Sequence, residues 1–278
     1  MPELPEVETV VATLRPRLVG RTLVVAGLSR DDIVTPSTAD LPALLAGRRV
    51  VDVSRRGKRI VFALDDGCRF YVHLGMTGQL TVAAADAAAP PHTHLEIKLG
   101  PAVPAGGSGR GEVLRFRDPR RFGGVWWLGP DEPADRGMGP EPLTLRPAAL
   151  ALRLAGTARA VKVALLDQAV VAGLGNIYVD ESLFLARIHP LRPARGLTAP
   201  EVGRLSRAIK LTLRRAIRHR GSTLRDYRDA DGNAGGFQSL HRVYDRAGEP
   251  CRACRTAVAR IVLGGRSTHF CPKCQEGL

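Results

Sequence analysis

The segment Met1-Pro2-Glu3-Leu4-Pro5-Glu6 puts a proline and two carboxylates where a chain terminus can do chemistry. A small second residue favours removal of Met1, which would leave Pro2 as a secondary α-amine titrating roughly 2.5 units below a lysine. More of such an amine is neutral at pH 7 and free to attack an electrophilic sugar carbon. The product is an iminium, an obligate cation that draws electrons from the adjacent C–H bond. Glu3 stands beside the amine for proton transfer. The same residues also fit an ordinary helix start, with proline in the first turn and acids facing the dipole. The rest of the chain has to decide between these readings.

A second cluster lies at the other end. Cys251-x2-Cys254 and Cys271-x2-Cys274, separated by sixteen residues, have the spacing of a four-cysteine structural zinc site, closed to substrate by its full ligand set. Two disulfides are the alternative, disfavoured in a reducing compartment. Between the pairs, Val258 to Leu263 and Ser267 to Phe270 predict a hairpin whose Gly264-Gly265-Arg266 tip presents an arginine. Cys68, the fifth cysteine, reads as a small core residue.

The net charge of +14 calls for a polyanionic partner, since neutralised phosphates release counterions. Of the 41 basic residues only five are lysines, so an amine that can change protonation is scarce and informative. No run approaches the ~18 apolar residues of a membrane span, and the acidic start lacks the pattern of a secretory signal. The expectation is a soluble, intracellular protein.

Several elements must position this chemistry. Val7, Val10, Val11, Leu14 and Leu18 fall at helical spacing, which predicts a helix from Glu6 that Pro16 ends or kinks. Short apolar or alternating runs at Val50–Val53, Ile60–Leu64, Phe70–Leu74, Leu95–Leu99, Val113–Phe116 and Val125–Leu128 predict a β-sandwich or barrel. Ala83–Pro91 and Gly100–Gly111 read as long hairpin loops. Three turns in this region are polar or glycine-flanked: Arg55-Arg56-Gly57-Lys58-Arg59, His73-Leu74-Gly75-Met76-Thr77-Gly78 and Asp118-Pro119-Arg120-Arg121-Phe122-Gly123. The last joins cations to an aromatic, a combination suited to phosphate contact and base wedging. Beyond a linker at Gly129–Pro147, helices are predicted at Ala148–Leu154, Val161–Gln168 and Asn176–Arg187, with Asn176 as N-cap. A capping box at Thr198 opens a long basic helix, and a sixteen-residue loop, Gly221–Gly236, follows.

Assembled in order, the Pro-Glu-Leu-Pro-Glu start, Arg-Gly-Lys, His-Leu-Gly-Met-Thr-Gly, Asp-Pro-Arg-Arg-Phe-Gly, Gly-Leu-Gly-Asn-Ile-Tyr-Val-Asp-Glu and the terminal cysteines resemble the formamidopyrimidine-DNA glycosylase family over essentially the whole chain. The resemblance implies a multidomain α+β protein. It would have an N-terminal helix and antiparallel β-sandwich over 1–134, a helix-two-turn-helix domain with a lesion-cover loop over 135–236, and a zinc finger over 237–278. It implies a monomeric, cytoplasmic enzyme acting on damaged double-stranded DNA, with one structural zinc and no membrane partner. Such an enzyme flips an oxidised purine out of the duplex, releases it, and cleaves the strand by β,δ-elimination. Pro2 would be the Schiff-base nucleophile, Glu3 the proton shuttle, and Lys58 and Arg266 further catalytic groups, with Glu6 and Lys162 in support. His94, Met76, Arg120, Phe122, Asn176 and Arg266 would contact DNA; Cys251, Cys254, Cys271 and Cys274 would hold zinc. An endonuclease VIII-like enzyme for oxidised pyrimidines and a catalytically silent DNA-binding protein are the competing readings.

Overall fold

A computed structural model describes residues 2–101 and 111–277, so most of the expected Gly100–Gly111 loop lies outside the described residues. The strands run in chain order as β1 (Leu23–Leu28), β2 (Val34–Thr35), β3 (Val50–Arg56), β4 (Arg59–Leu64), β5 (Arg69–His73), β6 (Gln79–Ala84), β7 (Thr93–Leu99), β8 (Glu112–Arg117), β9 (Gly124–Leu128), β10 (Ala259–Leu263) and β11 (Arg266–Phe270). The helices are α1 (Leu4–Leu18), α2 (Leu41–Leu45), α3 (Pro147–Ala155), α4 (Val161–Leu166), α5 (Asn176–Ala186) and α6 (Ala199–Arg218).

The chain folds as two compact units. The first comprises residues up to Arg136 together with Arg220–Gly235. Its strands form a four-stranded sheet, β1-β7-β8-β6, and a five-stranded sheet, β2-β9-β5-β4-β3. All their pairings are antiparallel except the short β2/β9 contact. Alternation explains the layering: Ile60, Phe62 and Leu64 of β4 and Leu80 and Val82 of β6 turn into a core shared with Val7, Val10, Val11, Leu14 and Leu18 of α1.

Pro16 neither ends nor shortens α1, which continues to Leu18. The proline occupies the final turn, where its missing N–H forfeits a single helical bond, and the Val19 N–H still closes onto the Arg15 carbonyl at 3.1 Å.

The loop after α6, expected within the helical domain, packs instead on the first unit. Tyr227 and Ala230 join the sandwich core, Ala230 N–H donates to Thr13 Oγ1 (3.3 Å), Gln79 Nε2 donates to the Asp226 carbonyl (2.6 Å), and Arg17 pairs with Asp231 (2.7 Å). The second unit, Gly137–His219 with Gly236 onward, holds the remaining helices and the cysteine hairpin together, so helical domain and finger are one body in packing terms. In α6, Thr198 and Glu201 form the expected capping box, and Val202, Leu205, Ile209, Leu213 and Ala216 are buried.

Candidate active site

The helix-start reading of the N-terminus is borne out. Pro2 and Glu3 are buried, and Glu3 caps α1 in a reciprocal box with Glu6, whose Oε2 accepts the Glu3 N–H at 2.8 Å. The helix-start chemistry is therefore the device that fixes the residue next to the candidate nucleophile.

Lys58 sits in the two-residue turn between β3 and β4, where Arg56 pairs with Arg59. Gly57 adopts φ +57° there, a conformation that favours glycine. Arg55, read from sequence as part of a basic turn, fastens this turn to α1: its Nε donates to Glu8 (2.6 Å) and its Nη1 to the Gly57 carbonyl (3.0 Å). His73 holds the far side, with Nδ1 3.3 Å from the Lys58 carbonyl. A carbonyl only accepts, so Nδ1 carries the proton. Burial, the largest influence, lowers the pKa of His73 and favours the neutral ring. Lys58, itself buried, is thus presented by a turn tied to the helix that carries Pro2, Glu3 and Glu6.

Two further turns form one probe. Gly75, at φ +59°, lies so close to the next loop that a Cβ would overlap Gly123 N and the Phe122 carbonyl carbon. Beneath them Asp118, fully buried, accepts from Thr77 Oγ1 (2.5 Å), the Arg120 N–H (3.3 Å) and the Gly123 N–H (2.7 Å). Above them Met76 and Phe122 are 37% and 56% exposed, and the Arg120 guanidinium lies 4.8 Å over the Phe122 ring. Exposed apolar tips on a hydrogen-bonded base suit insertion between bases. His94, expected at the DNA, is buried, and its Nε2 meets the Asp118 carbonyl at 2.9 Å, so the structure places it as a support of this turn. Asp118→Ala is expected to strand several buried donors and to lower stability by about 3 kcal/mol. A chemical denaturation midpoint equal to the wild type would show that the turn holds itself.

In the second unit the N-cap of α5 is Gly175, one position before the expected Asn176, which is the first helical residue. Asn176 Nδ2 donates to the Ser267 carbonyl (2.9 Å), joining the helix start to β11. Lys162, expected near the lesion, is fully buried: its Nζ donates to Asp180 Oδ1 (2.6 Å) and to the same Ser267 carbonyl (2.9 Å). These bonds tie α4 to α5 and to β11. Asp180 Oδ2 accepts the His269 N–H (2.9 Å), and Glu181 accepts the N–H groups of Arg242, Val243 and Tyr244, each at 2.9 Å. Sequence reasoning missed the positioning role of this acidic pair, whose signal was two adjacent acids inside an otherwise apolar helix. Arg266 is the exposed first residue of β11, and the tip is Gly264-Gly265, with φ of +56° and +71°.

The four cysteine sulfurs lie within 4.8 Å of one another, with Cys251 to Cys274 at 3.9 Å and Cys254 to Cys271 at 3.4 Å. A tetrahedral site with Zn–S near 2.3 Å requires sulfurs ~3.8 Å apart. Ala253 and Cys274 N–H groups point at Cys251 and Cys271 sulfurs, each at 3.4 Å, as donors to thiolates would. The donor set fits one zinc ion with no position open for chemistry. No described helix is long and apolar enough to cross a membrane.

Sequence models of known families match in the same order along the chain. The formamidopyrimidine-DNA glycosylase N-terminal domain covers residues 1–125, the H2TH domain of the same enzymes 138–228, and the zinc finger found in FPG and IleRS 248–277. The formamidopyrimidine-DNA glycosylase of Chloroflexus aggregans is 46% identical over 99% of this chain and 98% of its own length; that of Symbiobacterium thermophilum is 47% identical over 99% and 89%. Among solved structures, the MutM (Fpg) protein of Thermus thermophilus is similar at TM-score 0.86 and 43% identity, covering both chains completely. A Lactococcus lactis Fpg mutant in complex with Fapy-dG-containing DNA is similar at TM-score 0.90 and 34% identity, covering 99% and 100%.

Proposed function

The chain belongs to the formamidopyrimidine-DNA glycosylase family of base-excision-repair enzymes, and from that premise we propose that Pro2, freed of Met1, releases oxidised purines such as 8-oxoguanine and formamidopyrimidines from duplex DNA and then cleaves the strand. The observation that carries this assignment of roles is the buried Pro2-Glu3 pair, held by a capping box at the start of a helix that the Lys58 turn is tied to.

The amine attacks the deoxyribose C1′ as the glycosidic bond breaks, and the base leaves with a proton. Loss of the amine proton leaves a neutral adduct with the sugar ring still closed. Protonation of O4′ then breaks the C1′–O4′ bond, which opens the ring to a hydroxyl and leaves the C1′ iminium. That cation acidifies C2′, so removal of a C2′ proton expels the 3′ phosphate, and a second elimination expels the 5′ phosphate. Glu3 carries protons at the sugar, and the Lys58 ammonium meets the lesion or a departing phosphate. Met76 and Phe122 occupy the gap left by the extruded nucleotide while Arg120 meets the orphaned base; extrusion itself costs a few kcal/mol. Asn176 and Arg266 grip phosphates, with Arg266 placed by the zinc hairpin. The zinc supplies folding energy to that hairpin. The enzyme works as a cytoplasmic monomer.

Single-turnover release from 8-oxoguanine:cytosine and thymine-glycol duplexes tests the substrate class. Faster release of the purine is expected, and faster release of the pyrimidine would move the assignment to the endonuclease VIII type.

A further inference from the structure

We infer that the Glu6 carboxylate is a latch between the nucleophile's arm and the Arg220–Gly235 loop, so that settling of this loop over a flipped purine and placement of the attacking nitrogen form one event. The inference rests on the reading of Pro2 as nucleophile and of this loop as the cover of the lesion.

A capping box needs only one carboxylate oxygen at the third helical position, and Oε2 of Glu6 supplies it to the Glu3 N–H. The other oxygen is used elsewhere. Oε1 accepts the Ser222 N–H at 2.6 Å from a residue 216 positions away in sequence, a short, charge-assisted bond in a site where Glu6 is 1% exposed. The loop backbone is shaped for that contact. Gly221 adopts φ +75°, and a Cβ there would lie 2.5 Å from Oε1 and 2.9 Å from Cγ of Glu6, so a side chain would push the carboxylate away. The backbone carbonyl of Glu6 is engaged as well, accepting from the Tyr227 hydroxyl at 3.2 Å. Burial first, and then the Glu6 charge, push the Tyr227 phenol up, which keeps the hydroxyl a donor at any physiological pH. Loop and arm therefore meet at one residue through its side chain and its main chain, and the carboxylate they share also holds the Glu3 N–H of the peptide that joins Glu3 to the Pro2 ring.

A lesion that orders the loop thereby tightens the Glu3-Glu6 box at the moment the base is to be displaced. An abasic site has no base for the loop to cover and offers an open-chain aldehyde that needs less exact alignment. Breaking the latch should consequently separate two activities that a loss of general stability would lower together.

The test uses the full zinc-loaded chain in two variants, Gly221→Ala, which displaces the carboxylate, and Tyr227→Phe, which removes only the hydroxyl and keeps the packed ring. In single turnover, Gly221→Ala is expected to slow 8-oxoguanine release roughly tenfold to a hundredfold, the rate equivalent of one charge-assisted bond. Tyr227→Phe should slow it by roughly fivefold, the value of a neutral bond. Borohydride trapping on a preformed abasic duplex should change less than about threefold in either. Equal losses on both duplexes, or no loss on either in the Tyr227→Phe chain, would overturn the latch. A wild-type chain that failed to trap on the abasic duplex would instead overturn the nucleophile reading beneath it.

Discussion

Replacing Pro2 by glycine is expected to lower base release by about 100-fold and to leave a reduced but detectable borohydride-trapped adduct on an abasic duplex. The asymmetry follows from the amine. Glycine keeps a terminal nitrogen, but a primary one, so its adduct with C1′ is an imine that must be protonated before it withdraws electrons, whereas the proline adduct is cationic as formed. Glycine also removes the ring that is buried beside the capped helix start, and the nitrogen loses its fixed aim. A chain that keeps Met1 should be worse than either, because its residue 2 nitrogen is an amide with no nucleophilic lone pair. Mass spectrometry of the trapped peptide decides the matter. Attachment at residue 2 of a chain lacking Met1 is the expected result, and a crosslink on Lys58 or any other side chain would refute the assignment.

How much of this was legible beforehand depended on which force set each feature. Strands β3, β4, β5, β7, β8 and β9 are apolar runs bounded by turn residues, so pattern alone finds them. β6 carries no such signal, because Ala83 and Ala84 blend into the following Ala/Pro stretch, and only pairing with β8 makes Leu80 and Val82 a buried face. The two-residue β2 has almost no local signal and exists through its pairing with β9. The same distinction applies to the site. The cysteines are readable from residue type and spacing, because two such pairs are rare, whereas Pro2, Glu3 and Lys58 become candidates only together with the motifs that follow them in order. Arg55, Asp118, Asp180 and Glu181 are ordinary charged residues whose importance lies in what they hold, and that depends on partners 40 to 60 or more positions away in several cases. Lys162 shows the converse: the resemblance alone gives it a supporting role, and the Asp180 carboxylate and Ser267 carbonyl that hold it in the fold lie far away in sequence. Opening that pair from one side would leave an uncompensated charge, at a cost of roughly 3–5 kcal/mol.

Stripping the zinc is expected to abolish tight DNA binding while the β-sandwich stays folded. The apolar cluster around the site contains few fully buried residues, Phe184, Val243, Cys251, Val258 and Cys271, two of them metal ligands. Such a cluster cannot offset the ordering entropy of the finger, whereas four thiolates on zinc contribute on the order of 10 kcal/mol or more. Without the metal, β10 and β11 lose their frame, and Arg266, proposed to grip a phosphate, loses its fixed place next to Ser267, whose carbonyl holds Asn176. The affinity for a damaged duplex should fall by about 100-fold or more, and the slope of log affinity against log salt should decrease as phosphate contacts vanish. The first unit carries its own reporter, because both tryptophans of the chain, Trp126 and Trp127, lie in β9. Their thermal transition should move little on chelation or in Cys254→Ser. Undiminished binding after verified metal loss would remove the finger from the interface, and a tryptophan transition that collapsed with the zinc would show that the sandwich depends on the finger for its fold.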